Sequence, residues 1–229
     1  MWRVGLIAFF LVMFAALIAS VVPFIDSIQS STNFFWYLSR CSALVAYILL
    51  FINLFLGIGF KTRYFDRILE RWRMLDLHQF TALLAMAFIG LHIFSLLGDA
   101  FFKFDLVELV LPGASPYRPV WVTLGVIGFY VLLVLTFSGF VRKFIGQTVW
   151  RFIHYAAFFM FFLILFHGIK SGTDTSAVWA QWLYLSTGSI LIFLFLWRFL
   201  LPRSNTAKQS ALKDIIVQIL AGSFKDNPL

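Results

Sequence analysis

The sequence predicts an all-α integral membrane protein, a bundle of six transmembrane helices with both termini on the cytoplasmic side. Three observations carry that expectation. Hydrophobic residues make up 62% of the 229 positions and charged residues only 12%, whereas a soluble domain carries roughly 25% charged residues to cover its surface. The apolar residues gather into six runs of about 20, the length a helix needs to cross roughly 30 Å of hydrocarbon. The basic residues fall in short blocks between those runs, concentrated in alternate connections.

The runs extend approximately over 4–24, 34–60, 77–97, 119–140, 149–169 and 182–201. Backbone polar groups have no partner in lipid, and runs of this length satisfy them as helices. The connection 61–76 carries Lys61, Arg63, Arg67, Arg71 and Arg73. The next connection on that side holds Arg142, Lys143 and Arg151, and the tail adds Arg203, Lys208, Lys213 and Lys225. The opposite connections hold Lys103, Arg118 and Lys170 beside Asp26, Asp99, Asp105, Glu108 and Asp174. Basic loops stay in the cytoplasm, which places both ends of the chain there. The first run also reads as a signal peptide, with Arg3 before it and LIAS at its end; its length favours a span.

The net charge of +8 is explained by this orientation, and no nucleic-acid partner is expected. Thirty Phe and eight Trp suit lipid-facing and interfacial positions. The single cysteine, Cys41, is read as a packing residue. It rules out an internal disulfide, an iron–sulfur cluster and a CxxCH haem attachment. The connection 98–118 has room for a short helix on the outer surface. Residues 1–201 form the helical domain and 202–229 a cytoplasmic tail, in which Leu212, Ile215, Ile216, Ile219 and Leu220 recur at the spacing of an amphipathic helix.

The four histidines, His78, His92, His154 and His167, fall in only two runs, the third and the fifth. An ionisable group inside a bilayer is a functional candidate by default. Both helices run from inside to outside, so His78 and His154 share an inner level, and His92 and His167 an outer one. At 1.5 Å per residue the levels lie about 20 Å apart. Zinc takes four ligands close together, and each level offers two. A porphyrin already supplies four nitrogens and lacks only two axial ligands, so two haems are the economical reading. A proton relay through the same histidines remains the other. Fourteen residues bring His78 and His92 to one helix face, but thirteen leave His154 and His167 about 140° apart. Either the fifth helix is wound differently or the two levels differ in azimuth.

His-x13-His on the third run and His-x12-His on the fifth resemble the ferric reductase and NADPH oxidase transmembrane domain. So do LSRCSALVAYILL, YRPVWVTLGVIGFYVLLVLTFSG and WRFIHYAAFFMFFLILFHGIKSGTDT. The chain is also similar to the haem-binding membrane subunit of the bacterial periplasmic methionine sulfoxide reductase system, which commonly lacks a histidine matching His78. The resemblance covers nearly all of 1–201 and implies two b-type haems, the inner on His78 and His154 and the outer on His92 and His167. It further implies a multi-pass protein of the bacterial inner membrane.

Arg40, two turns into the second run, lies at the depth of the outer pair. The resemblance places an arginine of this helix beside the outer haem, where a propionate is a bidentate match; snorkelling to the interface is the alternative. Arg71 and Arg73 would meet inner propionates, or serve orientation alone. Arg118, Lys170 and the turn Ser171–Thr175 crowd the outer mouth, either to dock an acceptor or propionate or as a plain polar loop. Fused reductases carry flavin and NADPH domains after the sixth helix. Here some 28 residues follow, with no GxGxxG. The expected role is therefore the membrane haem subunit of an oxidoreductase. A separate flavoprotein or quinol is the expected donor, an outer-face or periplasmic redox protein the acceptor, and a flavin (FMN or FAD) sits on this chain or on a partner. Terminal reduction of ferric iron or oxygen at the outer haem, and a haem-free transporter or proton channel, are the rival readings.

Overall fold

Long apolar runs without interior proline leave the backbone one way to satisfy itself in lipid, and the protein is helical accordingly. The computed structural model describes residues 34–62, 70–99, 101–200 and Ile216. Its helices are α1 (Phe34–Thr62), α2 (Arg71–Leu97), the short α3 (Leu106–Val110), α4 (Pro119–Ser171) and α5 (Val178–Leu200). No strand occurs among the described residues. The first run, with its signal-peptide alternative, most of the connection 61–69, and the tail helix except Ile216 lie outside them.

Four helices are long and apolar enough to cross a membrane. Their outward faces carry large apolar side chains, among them Phe152, 81% exposed, and Phe144, 78% exposed. Water does not tolerate so continuous an apolar exterior, whereas lipid requires one. The protein is an integral, multi-pass membrane protein.

The fourth and fifth runs differ from expectation. They are not separated by a loop near 141–148: helix continues on both sides of Gly146, the one residue of α4 with non-helical angles (φ 80°, ψ 161°). That conformation is open essentially to glycine alone. At Gly146 the chain doubles back. Gly125 lies against His167 and Gly128 against Ile164, while Tyr117 Oη donates to the Ser171 carbonyl at 3.2 Å. Each pair is nearly symmetric about residue 146, so α4 is two antiparallel segments joined at one glycine. The flanking Arg142, Lys143, Gln147 and Thr148 form helix readily enough, so only the glycine marks the turn. Pro119 opens α4 within its first turn, where its missing N–H is no loss.

The third run begins earlier than expected, at Arg71 rather than Leu77, because the polar turn RWRMLD is helical. α3 occupies the connection expected to hold a short helix. α1 and α2 pack antiparallel, and α1 also meets α5, where Tyr47 Oη and Thr187 Oγ1 share a 2.5 Å hydrogen bond. Around that bond Tyr47 packs against Phe161 and Tyr184 at ring separations of 5.4 and 5.2 Å, with Phe161 fully buried. The part of α5 up to Ser189 lies antiparallel to the second half of α4: the Gly168 backbone faces Tyr184, and Gly188 faces Leu165. From Ile190 the chain belongs to a second compact unit, within which Phe193 and Trp197 pair one turn apart at 5.7 Å. Cys41, expected to pack between helices, is exposed.

Candidate functional site

All four histidines sit on two elements, α2 and the second half of α4, and three of them are fixed in one manner. His78 Nδ1 lies 3.0 Å from the Asn53 carbonyl, His92 Nδ1 3.0 Å from the Ser39 carbonyl, and His167 Nδ1 2.8 Å from the Trp121 carbonyl. A carbonyl can only accept, so each Nδ1 carries the proton and donates. The neutral ring then keeps its lone pair on Nε2. This is how a protein prepares an imidazole as a metal ligand, its tautomer and plane fixed by the second nitrogen.

The anchors share a register. Ser39 and Asn53 are fourteen residues apart on α1, as are His78 and His92 on α2, so one antiparallel pairing sets both bonds. Asn53 closes the inner one reciprocally: its Nδ2 donates to the His78 carbonyl at 2.6 Å and to Thr81 Oγ1 at 2.9 Å. A small residue stands four positions after each anchor and lets the ring reach the backbone. A Cβ on Gly57 would come within 3.3 Å of His78 Cε1, and one on Gly125 within 2.6 Å of His167 Nδ1; after Ser39 the corresponding residue is Ala43.

His154 is the exception. Its Nδ1 is buried and has no hydrogen-bond partner among the described residues. The thirteen-residue spacing accounts for this. The second half of α4 is regular helix from Gln147 to Ser171, so His154 points about 140° away from His167 and misses the first half of α4. The two levels therefore differ in azimuth, and local rewinding is not the explanation. His154 instead faces His78, ring centroids 6.1 Å apart at 67°, and stacks on Trp150 at 4.8 Å and 22°.

The pairs expected from sequence are thus brought together: His78 with His154 by direct ring contact, and His92 with His167 on the walls of one cavity of about 220 Å³. Arg40 lines the same cavity. It is not left for a cofactor alone, because Asp174 pairs with both its Nε and its Nη2 and its guanidinium covers the Trp36 ring at 3.9 Å. Arg71 and Arg73 lie at the exposed start of α2, Arg73 3.3 Å from Glu70. Arg118 and Lys170 are exposed and line a separate surface groove of about 350 Å³ with Pro119, Val120 and Trp121. Arg118 donates to the Lys170 carbonyl. The turn after α4 proves structural in part: Thr175 Oγ1 donates to the Ile169 carbonyl at 2.9 Å, meeting an acceptor left free at the helix end.

Ser39, Asn53, Trp121, Gly57, Gly125 and Trp150 were not singled out from sequence, and Asp174 only as part of the turn Ser171–Thr175. A carbonyl anchor leaves no mark of its own, but a small residue four positions later at the depth of a histidine is a readable signal.

Among the described residues no group of three or more His, Cys, Asp or Glu forms a metal site; the potential ligands come in twos. One ion between two imidazoles, with bonds of about 2.0 Å and roughly 1 Å more to each ring centre, separates the centroids by about 6 Å. The 6.1 Å between the His78 and His154 ring centroids is close to that separation. No family model matches the chain, and no curated protein or solved structure matches it.

Proposed function

We propose that the protein is a transmembrane electron conduit holding two b-type haems, the inner on His78 and His154 and the outer on His92 and His167. The observation that carries this reading is the anchoring of three half-buried imidazoles through Nδ1 to main-chain carbonyls. A mobile proton carrier must exchange its ring proton and has no use for so fixed a tautomer. When bound, such haems supply one-electron transfer with no coordination position open to a substrate. The chain's own part is to hold the imidazole planes rigid, exclude water from both levels, and place the Arg40–Asp174 pair beside the outer one.

The protein belongs in this reading to the bacterial inner membrane. It is the membrane haem subunit of an oxidoreductase: a separate flavoprotein or quinol delivers electrons on the cytoplasmic or membrane side, and an outer-face redox protein collects them. Any flavin, FMN or FAD, sits at the donor end.

Reduced-minus-oxidised absorption of the purified full chain is expected to show b-type bands equivalent to two haems per chain. Each single His→Ala substitution is expected to remove about one. A wild-type chain without such bands would overturn the reading in favour of a haem-free transporter or proton channel. In liposomes, ferrous iron or superoxide formed at the outer face without any partner protein would instead assign terminal reduction to this chain.

A further inference from the structure

Three of the four histidines take their ring plane from a main-chain carbonyl, and His154 does not. What holds His154 is a side chain one turn earlier on its own helix. Trp150 and His154 stand at i and i+4, where helix side chains meet. Their rings lie nearly parallel, at 22° and a centroid separation of 4.8 Å. The Arg142 guanidinium also lies over the indole, 4.7 Å from the ring centre. Arg142 comes from the opposite side of the Gly146 turn, so the doubling back of α4 is what builds the stack.

Trp150 Nε1 is buried without a hydrogen-bond partner among the described residues. No polar bond among the described residues therefore fixes the indole, and its place comes from packing against Arg142 and His154. A cation over an indole face is attractive by about 0.5–1 kcal/mol at exposed sites, and aromatic pairs add a comparable amount to their area burial. An imidazole held by such a face keeps its plane but is free of the second-nitrogen bond that raises the basicity of a ligating histidine. The inner level thus differs from the outer in kind: one ring hydrogen-bonded and one stacked, against two hydrogen-bonded rings.

We infer that Trp150 is the positioning residue of His154, its indole face setting the imidazole plane that a main-chain carbonyl sets for the other three histidines. The consequence for electron transfer rests on the two-haem reading above, so the test has one arm that needs haem and one that does not. Trp150→Phe keeps an aromatic face and removes the N–H; Trp150→Leu removes the face.

In haem-free, histidine-labelled full chain, the His154 ring protons, assigned by their loss in His154→Ala, are expected upfield under the indole ring current. They should return toward free-histidine values in Trp150→Leu and stay displaced in Trp150→Phe. In the loaded chain, Trp150→Leu is expected to change the low-spin electron paramagnetic resonance signal and midpoint potential of one haem while leaving the other unchanged. Trp150→Phe should match the parent. Upfield shifts that survive in Trp150→Leu would overturn the inference, as would a Phe variant that behaves like the Leu one, since the N–H and not the face would then be responsible. A parent chain without haem would refute the conduit, and the ring shifts would still decide the role of Trp150.

Discussion

Gly57 and Gly125 each stand four residues after the carbonyl that holds a histidine, yet they are not equally tight. A Cβ at Gly125 would lie 2.6 Å from His167 Nδ1 and 2.7 Å from Cε1, whereas one at Gly57 meets its nearest atom, His78 Cε1, at 3.3 Å. Gly125→Ala must therefore displace the imidazole and break its bond to the Trp121 carbonyl; Gly57→Ala asks for a few tenths of an ångström. We expect Gly125→Ala to lose close to one haem per chain, with a destabilisation of about 1–3 kcal/mol, the usual range for overpacking. Gly57→Ala should retain both haems. Pyridine haemochrome stoichiometry and thermal unfolding of the two variants side by side check this, and equal losses would refute the ring-packing account. Arg40 and Asp174 make a second residue-scale case. Their side chains are 28% and 29% exposed, so the pair is only partly desolvated, and a double-mutant cycle with Arg40→Gln and Asp174→Asn should give a coupling of about 1 kcal/mol. A coupling near zero would mean that the guanidinium is held by Trp36 alone. The four histidines were legible in the sequence because ionisable residues stand out in apolar runs. Their anchors were not, because every residue has a carbonyl, and Asp174 was read only as part of a turn at the outer mouth, without its pairing to Arg40.

At the scale of elements, hydropathy located the long helices well and their ends poorly. Membrane length fixes how many apolar residues a span needs, but polar residues at its ends are as helical as the rest, which is why α2 starts six residues before its apolar run. The Gly146 turn shows the same limit in reverse. Nothing about Arg142–Thr148 forbids helix, so a loop was expected where one glycine suffices. Gly146 has open space around a would-be Cβ, so any penalty for a side chain there is conformational. Gly146→Ala should destabilise by about 1–3 kcal/mol, the strain of a residue held in a glycine-only region. Gly139, also with open space but within regular helix, is its control: Gly139→Ala should be neutral or stabilise by up to about 1 kcal/mol. Chemical or thermal unfolding in detergent of both variants would settle the matter, and a Gly146→Ala chain as stable as Gly139→Ala would refute a strained turn. The thirteen-residue spacing of His154 and His167 belongs to this scale as well. Read on an ideal helix it correctly gave diverging side chains, and the structure supplies the outcome: one ring anchored across the α4 hairpin, the other turned to Trp150 and His78.

For the whole molecule, the helix pairings fix which ends lie together. Ser39, His92, Trp121 and His167 share one level. Asn53, His78 and His154 share the other, nearer the Gly146 turn. The connection 98–118 and the turn Ser171–Thr175 must then emerge on one side of the membrane and Gly146 on the opposite side. The charges orient that arrangement. Arg71, Arg73, Arg142, Lys143 and Arg151 attend the Gly146 side, while the other side mixes Lys103, Arg118 and Lys170 with Asp105, Glu108 and Asp174. Basic segments remain cytoplasmic, so in the proposed reading His78 and His154 would face the donor and His92 and His167 the acceptor. The lone native thiol makes this directly measurable. In a Cys41→Ser background, Pro112→Cys and Thr173→Cys, both at exposed positions, should react with a membrane-impermeant maleimide on intact cells freed of any outer barrier. Gln147→Cys should react only after the membrane is opened. Inverted labelling would turn the molecule over and send electrons through the histidine pairs in the opposite order. Labelling of Pro112→Cys and Gln147→Cys from the same side would break the antiparallel hairpin, and with it the two-level placement on which the conduit depends.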